Sequence, residues 1–97
     1  MINVRIHRRQ GEHLVAACDS GLEGRVLQEG KIKMTVHSSF YCAEEVDEAT
    51  LRNRLEMATV ANLVGEKSVG VAIDMGLIEM DCVIMIDGVP HAQMARL

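Results

Sequence analysis

The residues best suited to chemistry in this chain form a short segment near its C-terminus, Pro90-His91-Ala92-Gln93. Pro90 is the only proline. Its ring fixes its own φ and favours an extended residue before it, so the His91 imidazole is held on a stiff backbone. If the segment is extended, Gln93 lies on the same side as His91 and adds an amide donor and acceptor. Together these side chains suit recognition of an amide, a base edge or a phosphate.

His91 is also the best candidate for a general acid or base, because imidazole titrates near neutral pH. A catalytic histidine needs an orienting partner within hydrogen-bond reach, and the carboxylates of Asp19 and Glu66 are the candidates for that role. A structural interpretation stands beside both: Asp87-Gly88 turns the chain, and Pro90 only starts an edge strand. The sequence leaves recognition, catalysis and a purely structural role open.

A second set of polar side chains alternates along the N-terminal segment. Arg5, His7 and Arg9 would share one face of a strand, and with Arg8 and the lysines Lys31 and Lys33 they could form an anion-binding surface if the strands neighbour one another. The alternative is a solvated sheet face, because any half-exposed strand shows charged residues at alternate positions.

Two further candidates come from the middle of the chain. Phe40 and Tyr41 are its only aromatic residues, whereas modules that stack nucleic-acid bases usually present several rings. We therefore expect Phe40-Tyr41 to anchor a loop on the core, with the Tyr41 hydroxyl reaching a polar partner. The segment Asn62–Glu66 is predicted to join two helices tightly, because Asn and Gly tolerate left-handed geometry, and Asn62 is kept as a ligand-binding candidate.

The elements that must position these side chains begin with a β-hairpin. Ile2–Arg8 and Leu14–Cys18 are apolar on one side, and Gln10-Gly11 suits a two-residue turn between them. The predicted register places Ile6 opposite Val15, Val4 opposite Ala17 and Arg9 opposite Glu12. Strict alternation over Lys31–His37 predicts a third strand, with Ile32, Met34 and Val36 facing inward.

The second half of the chain predicts two helices and a strand. Asp47 can cap a first helix, whose apolar positions Leu51, Leu55, Ala58 and Ala61 recur at helical spacing until Gly65. Glu66–Met75 predicts a second, largely buried helix. The continuously apolar Cys82–Ile86 predicts a strand covered on both faces and central in the sheet, and a last edge strand could follow Pro90.

The element order predicts an α+β fold, β-β-β-α-α-β with a possible C-terminal edge strand. It would form a small, mostly antiparallel sheet packed against two helices in a single domain, residues 1–97.

Charge and cysteine content exclude several classes of protein. The net charge is −4, and it is uneven: residues 1–33 hold six Lys and Arg against four Asp and Glu, whereas residues 34–97 hold four against ten. This balance argues against a nucleic-acid or membrane binder that uses its whole surface. The three cysteines are odd in number and widely spaced, which predicts free thiols and a cytoplasmic protein. No apolar run is long enough to span a bilayer.

No motif indicates a cofactor or a metal. The four histidines and three cysteines lack the spacing of metal ligands, and the chain contains no phosphate-binding glycine loop and no dinucleotide fingerprint. We therefore expect neither a cofactor nor a bound metal.

Several segments together resemble a small archaeal family, domain of unknown function 424, along nearly the whole chain. They are Ala17-Cys18-Asp19, Gly24, Glu29-Gly30, Phe40-Tyr41, Asn62–Glu66 and Gly88–Gln93. The resemblance implies an archaeal, cytoplasmic, stand-alone domain and carries no established activity or catalytic residue. The family usually has glycine after its Phe-Tyr pair, whereas this chain has Cys42, so the resemblance assigns no role to that thiol.

Three functional hypotheses follow. The first is a cytoplasmic binding module with protein or RNA as candidate partners and translation as the candidate process. It would use Pro90-His91-Gln93 and the face of Arg5, His7 and Arg9. The second is a small enzyme with His91 as acid or base. The third is an interaction protein whose exposed edge strand builds a homodimer.

Overall fold

The computed structural model describes residues 1–96 of the chain. Eight strands and three α-helices follow one another in this order: β1 (Ile2–Arg9), β2 (Glu12–Asp19), β3 (Val26–Glu29), β4 (Ile32–Thr35), α1 (Ser38–Tyr41), β5 (Glu44–Val46), α2 (Glu48–Glu56), β6 (Val60–Val64), α3 (Glu66–Asp74), β7 (Ile84–Ile86) and β8 (Val89–Ala95). A short 3-10 helix, Met80–Cys82, precedes β7.

Six of the strands form one sheet in the order β5-β1-β2-β6-β8-β7, and β3 and β4 form a separate two-stranded sheet. All neighbours in the large sheet are antiparallel except β2 and β6, which run parallel at its centre. The predicted α+β class and the mostly antiparallel sheet are confirmed, including a strand at the C-terminal end.

The first hairpin forms as its sequence predicts. Ile6 pairs with Val15, Val4 with Ala17 and Arg9 with Glu12. Gln10 and Gly11 both have positive φ, 48° and 83°, which is the two-residue turn whose twist matches that of the flanking strands.

The segment Val60–Val64 is a strand, so the predicted helix extending to Gly65 was wrong. Helix α2 ends at Glu56, and Asn62–Glu66 joins a strand to a helix rather than two helices. A short apolar run fits either structure locally. Here β6 pairs with β2 on one side and β8 on the other, and these two ladders decide the outcome.

The sheet has one face covered by helices, which we call the helical face. The main core lies between this face and the two longer helices. It contains Ile2, Val4, Val15, Ala17, Ala61, Leu63, Ala92 and Met94 from the strands, and Leu51, Leu55, Val69 and Ala72 from α2 and α3. The alternation of side chains along each strand directs the intervening residues to the opposite side.

The opposite side, which we call the hairpin face, is only partly covered by α1 and the β3–β4 hairpin. A smaller core lies there and contains Ala16, Cys18, Val64 and Ile86 from the sheet, packed with Leu27, Val36 and Tyr41. The predicted third strand is β4, but it pairs with β3 outside the large sheet. Of its predicted inward residues, Val36 is buried, whereas Ile32 is 49% exposed.

The two C-terminal strands exchange the positions expected from their sequences. The apolar β7 was predicted to be central but is an edge strand, whereas β8 lies between β6 and β7 rather than at the edge. Pro90 fits this interior position because its missing N–H leaves no carbonyl without a donor. In an antiparallel ladder that N–H would point to the Gly65 carbonyl, which accepts instead from the Val69 N–H of α3. The Pro90 carbonyl accepts from the Gly65 N–H (2.8 Å) as in a regular ladder.

Within residues 1–96, none of the helices has the length and apolar content that crossing a membrane requires.

Candidate ligand-binding face

Strand register brings three candidate residues from distant parts of the chain into one line. Arg5 pairs with Ala16, Ala16 with Asn62, and Asn62 with Gln93, so these residues cross four adjacent strands on the hairpin face. We call them the Arg5–Gln93 row. At about 4.8 Å between neighbouring strands, the row spans about 14 Å.

The remaining histidine candidates flank this row. His7 pairs with Leu14 and lies two residues beyond Arg5 on the same strand, so both side chains are on the hairpin face. At the other end of the row, His91 pairs with Val64 and lies two residues before Gln93. The predicted shared side of His91 and Gln93 therefore exists in β8, with Gln93 exposed and His91 half-buried.

The Tyr41 hydroxyl fixes the middle of the row. It donates to Asn62 Oδ1 (2.6 Å), so Tyr41 is anchored to the core through a polar partner as the sequence predicted. Burial raises the pKa of Tyr41 to about 12, and the nearby Cys18 thiol adds to the shift, so the hydroxyl keeps its proton at neutral pH. Because the carboxamide oxygen is taken, Asn62 presents its amide N–H groups as the end available to a ligand.

His91 is held by backbone rather than by a carboxylate. Its Nδ1 lies 3.0 Å from the Leu63 carbonyl oxygen, and because a carbonyl can only accept, Nδ1 carries the hydrogen. In the neutral ring Nε2 is then an acceptor. Within residues 1–96, no hydrogen bond or ion pair joins His91 to Asp19 or Glu66.

Asp19 serves the fold. Its carboxylate accepts from the backbone N–H groups of Lys67 and Ser68, both at 2.9 Å, and from the Ser68 hydroxyl at 2.8 Å. It therefore caps the N-terminus of α3 from the neighbouring parallel strand, where negative charge is favoured. Gly65 makes room for it, because a Cβ at this position would lie 2.3 Å from Asp19 Cγ.

Glu66 is exposed in the first turn of α3 and lines a cavity with Met80 and Met85, away from the Arg5–Gln93 row. The structure therefore places neither of the two candidate carboxylates against His91.

The N-terminal basic residues are brought together in part. Arg5, His7, Arg9 and Phe40 line a depression of about 520 Å³ on the hairpin face. His7 stacks on Phe40 with ring centroids 4.8 Å apart, and its Nε2 lies 2.8 Å from the Phe40 carbonyl oxygen. Arg5 is exposed and donates to the Cys42 carbonyl (3.2 Å).

The wider basic surface does not form. Arg8 alternates to the helical face, where it lines a different depression of about 460 Å³, and it also contributes to the lining of the hairpin-face depression. Lys31 and Lys33 belong to the β3–β4 hairpin, which does not pair with β1. Strand alternation therefore directs Arg5 and Arg9 to the hairpin face, with His7 between them, and Arg8 and the acidic Glu12 also line their depression.

Asn3 is a further polar residue of this face that is not among the candidates predicted from the sequence, although the alternation Asn3, Arg5, His7 places it there. It is 9% exposed, and its Nδ2 has no hydrogen-bond partner within residues 1–96. It pairs with Cys18, whose pKa burial raises to about 12. Burial also raises the pKa of Cys42. Both thiols therefore stay protonated at neutral pH and are weak nucleophiles.

The described residues include no group of three His, Cys, Asp or Glu side chains arranged to hold a metal ion.

Comparison with known proteins shows a shared fold and a family. A search of the curated proteins finds no match. Among solved structures, the chain is similar to an uncharacterized conserved protein from Methanopyrus kandleri, with a TM-score of 0.77 and 23% identity, covering 99% of this chain and 94% of that one. The family described as "Protein of unknown function (DUF424)" matches residues 7–97. The chain therefore belongs to the DUF424 family.

Proposed function

We propose that this chain is a small, non-catalytic binding module of the cytoplasm, one domain over residues 1–97, that binds single-stranded RNA on its hairpin face. The observation that carries the proposal is the Arg5–Gln93 row, because it aligns a guanidinium and two carboxamides across four neighbouring strands. Arg5 and Gln93 at the two ends of the row are exposed, whereas Ala16 between them belongs to the smaller core. A sheet face with exposed polar side chains is a common platform for single-stranded RNA, whose bases expose their edges.

Each end of the row suits a different part of a nucleotide. The exposed Arg5 and Arg9 can form charge-assisted hydrogen bonds with phosphate oxygens. The other end offers hydrogen-bond donors and acceptors that suit a base edge. They belong to the Asn62 amide, the Gln93 carboxamide and His91 Nε2. Phosphates would therefore lie towards β1 and bases towards β8.

Base stacking contributes little to this proposal. One face of Phe40 is taken by His7, and Tyr41 packs edge-on against Phe40 at a centroid distance of 4.9 Å. Affinity then depends on hydrogen bonds and on two phosphate contacts. With two phosphates neutralised on a single strand, the slope of log K against log salt would be about −1.4.

The environments of His91 and Asp19 favour binding over catalysis. The His91 Nδ1–H is committed to the Leu63 carbonyl, and the Asp19 carboxylate is committed to α3. A backbone carbonyl can orient an imidazole, but within residues 1–96 neither Asp19 nor Glu66 is bonded to His91 to stabilise the imidazolium that a general base forms.

The proposal is tested by fluorescence anisotropy with labelled RNA decamers of A, C, U and mixed sequence. We expect Arg5→Gln to weaken binding about tenfold and to reduce the salt slope, because one charge-assisted contact is lost. Lys31→Gln is the matched control, because it removes the same charge from the exposed β3–β4 turn. Urea unfolding of both variants verifies that they fold.

The base-reading end has its own variant. Gln93→Ala should reduce the spread of affinities among the decamers and leave the salt slope unchanged, because a carboxamide contacts bases rather than neutralising phosphates. Absence of binding to every decamer, or an equal loss with Lys31→Gln and Arg5→Gln, would reject RNA binding by this face.

A further inference from the structure

An apolar groove lies at the other side of the molecule, between α3 and the edge strand β7. Its volume is about 410 Å³. We call it the α3–β7 groove, and its lining is Glu66, Val69, Gly70 and Ile73 from α3, with Met80, Val83, Met85 and Pro90. Met80 and Met85 are 73% and 50% exposed, so the groove leaves flexible, adaptable apolar side chains in solvent.

Within residues 1–96, the strand beside this groove pairs in the sheet along one edge only, with β8. The Pro90 carbonyl points to β6, where it accepts from the Gly65 N–H, so Pro90 and Met85 form a pair without hydrogen bonds in the β7–β8 ladder. The N–H and C=O of Met85 therefore point away from β8 to the free edge of the sheet. An extended chain placed there could bond to both groups.

Gly70 is the second indication that something approaches the groove. It lies within α3, it is exposed, and a Cβ added to it would meet no atom within 4 Å. Glycine inside a helix is less stable than alanine by about 1 kcal/mol, so the fold gains nothing from it. A bare backbone at this position instead leaves space for a neighbouring chain.

Charge around the groove selects the kind of neighbour. The one charged residue of the lining is Glu66, and the exposed Asp81 and Asp87 flank β7 on its two sides. A cationic partner would be attracted here. A second copy of this chain, pairing through its own β7, would bring two more of these aspartates to the same edge and so increase repulsion.

We propose that the α3–β7 groove binds an extended segment of another protein in which apolar residues alternate with Lys or Arg, and that this segment adds to the sheet as a strand beside β7. Apolar side chains of the segment enter the groove, and its backbone bonds to Met85. The groove faces away from the Arg5–Gln93 row, so this inference does not depend on RNA binding.

The probe is a fluorescein-labelled nonapeptide of alternating lysine and valine, compared with one in which glutamate replaces each lysine. Gly70→Leu fills the groove, and we expect it to weaken binding of the lysine peptide at least tenfold while α3 stays folded. Lys67→Leu is the matched control, because it adds the same side chain to an exposed position of α3 outside the groove. Met85→Pro removes the outward N–H, and should also weaken binding.

The outcomes separate cleanly. Binding of the lysine peptide that is lost in Gly70→Leu, kept in Lys67→Leu and much weaker for the glutamate peptide supports the proposal. No binding of the lysine peptide, or equal binding of both peptides, overturns it. A concentration-dependent dimer in light scattering that Gly70→Leu abolishes also overturns it, because a second copy would then occupy the groove.

Discussion

The carboxyl ends of β2 and β6 and the hairpin face of the same strands differ in how far their polar groups are already bonded. At the strand ends, the Asp19 carboxylate accepts three hydrogen bonds from α3. On the hairpin face, Gln93 is exposed and Asn62 uses only its oxygen, for Tyr41. In α/β sheets the crevice beyond such strand ends is the usual ligand site. Here the Asp19 carboxylate takes the N–H groups at the start of α3, so these donors are withheld from the depression of about 270 Å³ that remains beyond the strand ends. The donors left for a ligand lie on the sheet face.

The largest expected effect comes from Gly65→Ala, which tests how tightly the strand end is closed. Gly65 has a φ of 111°, and the new Cβ would overlap the Asp19 carboxylate, so we expect a loss of about 4 kcal/mol in the free energy of unfolding. Urea denaturation measures it. Gly21→Ala is the control, because its φ is 100° and its Cβ would meet no atom within 4 Å. Equal losses in the two variants would mean that the Asp19 contact is unimportant.

Asp19→Ala should cost about 2 kcal/mol, because the first N–H groups of α3 lose their acceptor. The vacated helix terminus should then attract an anion. At constant ionic strength we therefore expect inorganic phosphate to raise the Tm of Asp19→Ala more than that of the unmodified protein. Equal shifts would contradict the view that Asp19 occupies this position. In the Asp19→Ala background, Gly65→Ala should also cost less, because the two residues are in contact.

Alkaline pH should lower the free energy of unfolding through Cys18, which is buried between the two regions. The folded-state pKa of Cys18 is about 12 because burial disfavours the thiolate, against a value of 9.0 for the unfolded chain. The unfolded state therefore loses its proton first, and stability falls as pH rises above about 9, by about 1.4 kcal/mol at pH 10. Denaturation at pH 7 to 10 measures this slope. Cys18→Ala should remove this part of the slope and leave the parts due to Tyr41 and Cys42, whose pKa values burial also raises. An unchanged slope would assign the effect to those groups.

The smallest effect should come from Tyr41→Phe, which touches only the hairpin face. Losing the hydrogen bond to Asn62 should cost about 1 kcal/mol, since the carboxamide then loses a fixed donor. If the Arg5–Gln93 row binds RNA, the variant should also discriminate less among the decamers while Arg5 still sets the salt slope. Thermal unfolding and the anisotropy assay measure the two effects separately. A variant with unchanged stability and unchanged discrimination would show that Tyr41 does not position Asn62.

Where structure depended on neighbours in sequence, the prediction and the structure agree. The register of β1 and β2 follows from the Gln10-Gly11 turn and from alternating apolar residues, and α3 follows from its helical spacing. The same alternation placed Arg5 and His7 on one face, and it placed His91 with Gln93. These are short-range consequences of backbone geometry, so composition and spacing suffice.

The tertiary structure decided what depends on partners far along the chain. Val60–Val64 became a strand because β2 and β8 bond it on both sides, and only then does Asn62 stand between Arg5 and Gln93. The apolar β7 lies at the edge because β8, rather than β7, pairs with β6. Pro90 is tolerated in this interior strand since the Gly65 carbonyl, which its N–H would have met, already accepts from Val69. The sequence by itself determined which side chains share a strand face. Only packing of distant strands determined which faces meet, because ladder pairing and burial depend on contacts that no local pattern encodes.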